Sequence, residues 1–210
     1  MTTDNTLLDR ESLLRRARLL EWFTILYNSL EGLISILAGL VAGSIALVGF
    51  GIDSVIEVIS GIALLWRTNA RVDRERGERA EAIALKIVGV SFVLLAAYVA
   101  FDSIKALWLR EAPEESIIGI VVAALSVVIM PLLARGKRAV AAKIKSRALA
   151  ADATQTDLCM YLSAILLAGL ALNALFGWWW ADPVAALVMV PIIGKEGLEA
   201  LRGEECDCHS

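Results

Sequence analysis

The sequence predicts an all-α integral membrane protein with six transmembrane helices and both termini cytoplasmic. Three observations carry that expectation. The 210 residues are 58% hydrophobic with a mean hydropathy of +0.69, more apolar side chain than a soluble domain of this length can hide. Uncharged runs such as 32–52 and 158–181 reach the roughly 20 residues that cross a bilayer as a helix. Lys and Arg collect in alternate connections, the bias that places basic loops on the cytoplasmic side.

Residues 1–18 form a polar N-terminal arm carrying Arg10, Arg15, Arg16 and Arg18. It is charged for too long to be a signal peptide, so the first hydrophobic segment is expected to be retained. The first helix is predicted over about 20–42 and the second over about 45–66, divided at Ala42, Gly43 and Ser44. A single helix at 32–52 would strand the apolar flanks WFTILYN and VIEVISGIALLW. The third helix is predicted at about 82–106 and the fourth at 116–134, kinked at Pro131. The fifth starts before Leu158 and ends near Asn173, and the sixth covers about 182–201 with Pro191 inside it.

The connection after the second helix holds Arg67, Arg71, Arg74, Arg76 and Arg79, and 135–147 holds six basic residues, whereas GWWWADP holds none. Trp178, Trp179 and Trp180 would then mark the outer interface, and Trp22 and Trp66 the inner one. Residues 19–201 make one membrane domain and 202–210 a short cytoplasmic tail, with no linker between domains and no usable internal repeat.

The chemistry starts at GFGIDSVIEV, where Asp53 and Glu57 interrupt an apolar stretch. One helical turn apart, they lie some 40° from each other on one face and could both reach a single cation. Carboxylates at such depth are costly, about 2.5–3.5 kcal/mol each at the centre of a span, and mark function. In ADATQTDLCMYLS, Asp152, Gln155 and Cys159 share a face while Asp157 points elsewhere. Hard oxygen ligands with one thiolate suit a divalent transition metal. On the first helix Glu21, Asn28, Glu31 and Ser35 fall on one side. Glu31, the deeper acid, is a candidate proton relay; Asn28 and Ser35 read as helix-packing polar groups.

Three cysteines in these positions build no disulfide framework, and the sole histidine is His209, so an interior site does without imidazole. Cys206, Cys208 and His209 form a candidate metal-capture cluster in the tail.

These stretches resemble the membrane domain of the cation diffusion facilitator family. AGSIALVGFGIDSVIE is similar to the family's second-helix motif, with Asp53 and Glu57 at the two ligand positions. RAEA resembles the start of its third helix, ADATQTDLCMYLS its fifth-helix motif Ala-Asp-Ala-x-His-x-x-x-Asp, and GWWWADPVAALVMVPII the Asp-Pro start of its sixth. Gln155 stands where that motif has His and Cys159 where it has Asp, so either Gln155 or Asp152 completes the set. The family's second site near the second-to-third loop has no matching histidine. Its cytoplasmic metal-sensing domain has no counterpart, so a homodimer is expected through membrane helices.

The resemblance implies a secondary transporter that exports a divalent metal in exchange for protons by alternating access. Zn2+ is the leading cargo, with Cd2+, Fe2+, Co2+ and Mn2+ as alternatives. Implied partners are the metal, protons and the lipid bilayer, with no nucleic acid and no resident cofactor. The location is a plasma membrane, or the inner membrane of a bacterium. The other reading is a non-transporting membrane metal-binding protein that modulates a partner. An enzyme is not expected, because the helices hold no histidine and no nucleophile–base pair.

Overall fold

In the computed structural model, which describes residues 2–68, 74–111 and 113–202, the first helix inverts the amphipathic pattern of a soluble protein. α1 (Thr2–Ala42) turns Leu19, Trp22, Leu26, Leu30, Leu33 and Leu37 outward and buries Glu21, Thr24, Asn28, Glu31 and Ser35. Both sets recur every three or four residues, so each forms one stripe. An apolar outside around a polar inside is stable where the surroundings are hydrocarbon, since in water that stripe would be a large unpartnered apolar surface.

α2 (Ile45–Thr68), α3 (Arg74–Leu109), α4 (Ile117–Ile144), α5 (Arg147–Phe176) and α6 (Ala181–Arg202) follow. Stretches of α1 to α5 are long and apolar enough to cross a membrane. α6 carries Asp182, Lys195, Glu196 and Glu199 and packs along α3 and α5. The molecule is a multi-pass integral membrane protein of all-α fold. α2 is central, touching α1, α3, α5 and α6, while α4 pairs with α5 and α1. Leu47, Phe50, Met130, Leu166 and Ile193 fill the apolar part of the interior. At Gly51 a side chain would meet the α1 backbone, 2.9 Å from Ile36 N and 3.0 Å from Gly32 O. Small residues set the approach of α1 and α2, as in membrane bundles generally.

The helices outrun their hydrophobic segments. α1 reaches back to Thr2 rather than 20, α3 begins at Arg74 rather than 82, and α4 continues to Ile144 rather than 134. Hydropathy locates the part of a helix in lipid, but Ala-, Arg-, Lys- and Glu-rich flanks keep propagating the backbone hydrogen bonds. Most of the basic stretch 135–147, expected as a loop, is therefore helix, and α4 runs on through Pro131.

One end of the bundle is tied by a single carboxylate. The chain leaves α1 through Gly43 at φ +68°, which frees Ser44 to begin α2. Ser44 Oγ accepts from Leu47 N at 3.1 Å and donates to Asp182 Oδ1. Asp182 Oδ2 accepts from Ile45 N at 3.0 Å and, more weakly, from Ala46 N at 3.5 Å. The first residue pair of α6 thus caps α2, satisfying amides that have no partner within their own helix. Nearby, Glu114 N donates to Ala42 O at 2.7 Å and Asn173 Nδ2 to Pro113 O at 3.2 Å, joining all three turns at that end. At the opposite end Lys145 (φ 54°) reverses the chain and Ser146 caps α5. We expect Asp182→Ala to cost about 1–2 kcal/mol, read as a lower thermal unfolding midpoint in detergent, and Asp182→Asn to recover part of the loss.

Candidate metal centre

The spacing of Asp53 and Glu57 on α2 sends both carboxylates into the bundle. At about 1.5 Å per residue, Asp53 lies about 13 Å below Ser44, near the middle of a hydrocarbon core about 30 Å thick. Asp53 is 7% exposed and Glu57 1%. α5 brings Cys159, 1% exposed, to face them, close enough to interact with Asp53, Glu57 and Glu31 together. Glu31, also buried, comes from α1, and its Oε2 lies 4.0 Å from Cys159 Sγ. Two ligands on one tetrahedral zinc, at about 2.3 Å for sulfur and 2.1 Å for oxygen, stand about 3.6 Å apart, so this pair is near shared-ion spacing. Three helices thus contribute acid or thiol groups to one mid-depth cluster.

Hydroxyls hold two of these carboxylates, Glu31 and Glu57. Glu31 Oε2 accepts from Ser54 Oγ at 2.9 Å, and Oε1 accepts from Ser126 Oγ on α4. Tyr27 OH lies 3.0 Å from the same Ser126 oxygen. Glu57 Oε1 accepts from Thr156 Oγ1 at 2.8 Å, while its Oε2 has no hydrogen-bond partner. In this arrangement no three His, Cys, Asp or Glu side chains among the described residues close tightly enough to hold a metal ion. Closing the cluster around an ion requires side chains to leave their hydroxyl partners.

The α5 residues divide. Asp152 shares a helix face with Cys159 but pairs with Lys137 of α4, away from Asp53. Gln155 is half-buried, with Nε2 unpartnered. Asp157 points away and pairs with Arg138. Cys206, Cys208 and His209 lie outside the described residues.

Sequence reasoning missed Lys137, which it counted among topology-setting charges. The side chain is fully buried, in an ion pair with Asp152, 3.5 Å from Glu21 Oε1 and 3.2 Å from Thr156 Oγ1. It extends the buried stripe of α4 through Ser126, Met130, Leu133 and Ala134, a periodicity visible once the helix is continued past 134. Thr156 was missed too; its hydroxyl joins the Lys137 group to Glu57.

Ionisable groups held inside a membrane bundle, several of them facing one another, mark an interior functional site of the kind found along ion pathways. The chain belongs to the cation efflux family, whose transmembrane-domain model matches residues 22–203; its members are transporters rather than enzymes. Over 178 residues the chain is 28% identical to "Uncharacterized transporter MJ0449" of Methanocaldococcus jannaschii, covering 82% of this chain and 62% of that protein. It is likewise 28% identical over 178 residues to "Cation-efflux pump FieF" of Shewanella oneidensis, covering 79% of this chain and 58% of the pump. The chain therefore spans about three-fifths of the length of these curated relatives.

Thr156→Val, which keeps the shape and removes the hydroxyl, leaves a buried carboxylate oxygen without its donor and Lys137 with Asp152 but one acceptor fewer. We expect a loss of about 1–3 kcal/mol in detergent unfolding, with Thr156→Ser close to the parent.

Proposed function

We propose that the chain exports a divalent transition metal, Zn2+ foremost, in exchange for protons, with the site opening to each side in turn. The observation that supports this most is the meeting of Asp53, Glu57 and Cys159 at mid-depth, with Glu31 beside them. Asp53, Glu57 and Cys159 act as ligands in this reading. Gln155 rather than Asp152 completes the set, because Asp152 is engaged by Lys137. Metal ligands must be deprotonated, so each binding event releases protons and each release of metal allows them to return. The same side chains then carry metal one way and protons the other, and Glu31 passes protons between the cluster and its serine partners. The relative named as a cation-efflux pump agrees with this direction of transport. Cytoplasmic termini and a homodimer through membrane helices belong to the same proposal.

The test is flux in proteoliposomes, recording Zn2+ movement and internal pH together. Asp53→Ala and Glu57→Gln should each reduce Zn2+-driven proton movement at least tenfold, in line with lost metal ligation. Unchanged activity would remove that residue from the ligand set. Zn2+ binding with no flux in the parent protein would identify a non-transporting metal-binding protein instead.

Cys159 also sets selectivity in this reading, because a thiolate favours softer metals than a carboxylate. Cys159→Asp is expected to shift the transport preference from Zn2+ and Cd2+ toward Mn2+ in the same vesicles.

A further inference from the structure

Three buried charges have no part in the mid-depth cluster: Glu21 on α1, Lys137 on α4 and Asp152 on α5. Of these, Glu21 lines a cavity of about 270 Å³ at the end of the bundle away from the Asp182 cap. Its walls include Glu11, Arg18, Leu64, Ser146 and Leu149, and Glu21, only 2% exposed, is its deepest acid.

Glu21 and Asp152 share one cation, the ammonium of Lys137, which serves both. Glu21 Oε1, Glu21 Oε2 and Asp152 Oδ1 are buried with no hydrogen-bond partner; the ion-pair contact of Lys137 with Glu21, at 3.5 Å, is too long to serve as one. With both ionised, two carboxylates around one monovalent cation leave a net negative charge where charge is expensive. A divalent cation would neutralise both. Two carboxylates are few ligands, but hard divalent ions complete their shells with water, which the adjoining cavity has room to supply.

We propose that Glu21 and Asp152 form a loading station for a hydrated divalent cation, and that Lys137 is its tethered counter-ion, displaced when the cation arrives. The displaced ammonium remains beside Thr156, whose hydroxyl already accepts from it at 3.2 Å. Thr156 also donates to Glu57 at 2.8 Å, so the station adjoins the deeper cluster through one shared hydroxyl. Binding at the station stands independently; its role as a step on the way to Asp53 and Glu57 rests on the export reading.

The test uses Mn2+, whose free and bound forms electron paramagnetic resonance distinguishes, with the full chain in phosphatidylcholine nanodiscs. An Asp53→Asn/Glu57→Gln background removes the deeper ligands. In that background one saturable Mn2+ per chain is expected to remain. Adding Glu21→Gln should weaken it at least tenfold, and adding Lys137→Met, which removes the competing cation, should tighten it at least tenfold. Absence of saturable Mn2+ in the background, or affinity unaffected by Glu21→Gln, overturns the station. Folded Lys137→Met protein with unchanged or weaker binding overturns the counter-ion role. Should that variant not fold, the Glu21→Gln comparison decides alone. Failure of the export reading shows elsewhere, as Zn2+ flux that Asp53→Ala does not reduce.

Discussion

A fully buried ammonium sets the terms for the rest of this bundle. Lys137 is sealed from solvent among α1, α4 and α5, and its positive charge is tolerable there only because Asp152, Glu21 and Thr156 surround it. Removing one partner of such a group typically costs about 3–5 kcal/mol, so these three helices are held in one register. The same logic recurs along the interior. Glu31 binds α1 to α2 and α4 through two serines, Thr156 binds α5 to α2 through Glu57, and Asp182 binds α6 to α2 through its capping bonds. Lipid gives helices little hydrophobic reason to associate. Polar links and close approaches at small residues such as Gly51 therefore carry much of the specificity.

What the sequence revealed follows from what helical periodicity can encode. Asp53 and Glu57 one turn apart had to share a face, and they do; Glu21, Asn28, Glu31 and Ser35 had to share another, and all four are buried. Asp157, placed off the Asp152–Cys159 face, is paired outward with Arg138. Periodicity gives angle but not neighbour. Asp152 has the right angle for the deep cluster, yet it sits about 10 Å along the helix from Cys159, and that displacement brings it beside Lys137. Lys137 itself was obscured by a rule that counts basic residues by segment. Such a count treats every charge as solvated, whereas the stripe through Met130, Leu133 and Ala134 continues directly into it.

The hydroxyl partners of the acids bear on how a transporter of this family would cycle. A site that must be emptied on every turn needs a stable arrangement without its ion. Here Thr156 occupies a Glu57 oxygen that a metal would otherwise take, while Ser54 and Ser126 hold Glu31. In the export reading an arriving ion exchanges the Thr156 bond for coordination, forfeiting about 0.5–1.5 kcal/mol. That exchange lowers affinity, and lower affinity is what allows release on the far side. Gln155 acts in the same direction in the export reading, because a neutral amide oxygen is a weaker ligand than the His of the resembling motif. In that reading Asp53 and Glu57 supply the charge an ion needs, and the Thr156 bond and the Gln155 amide keep it from being held too tightly.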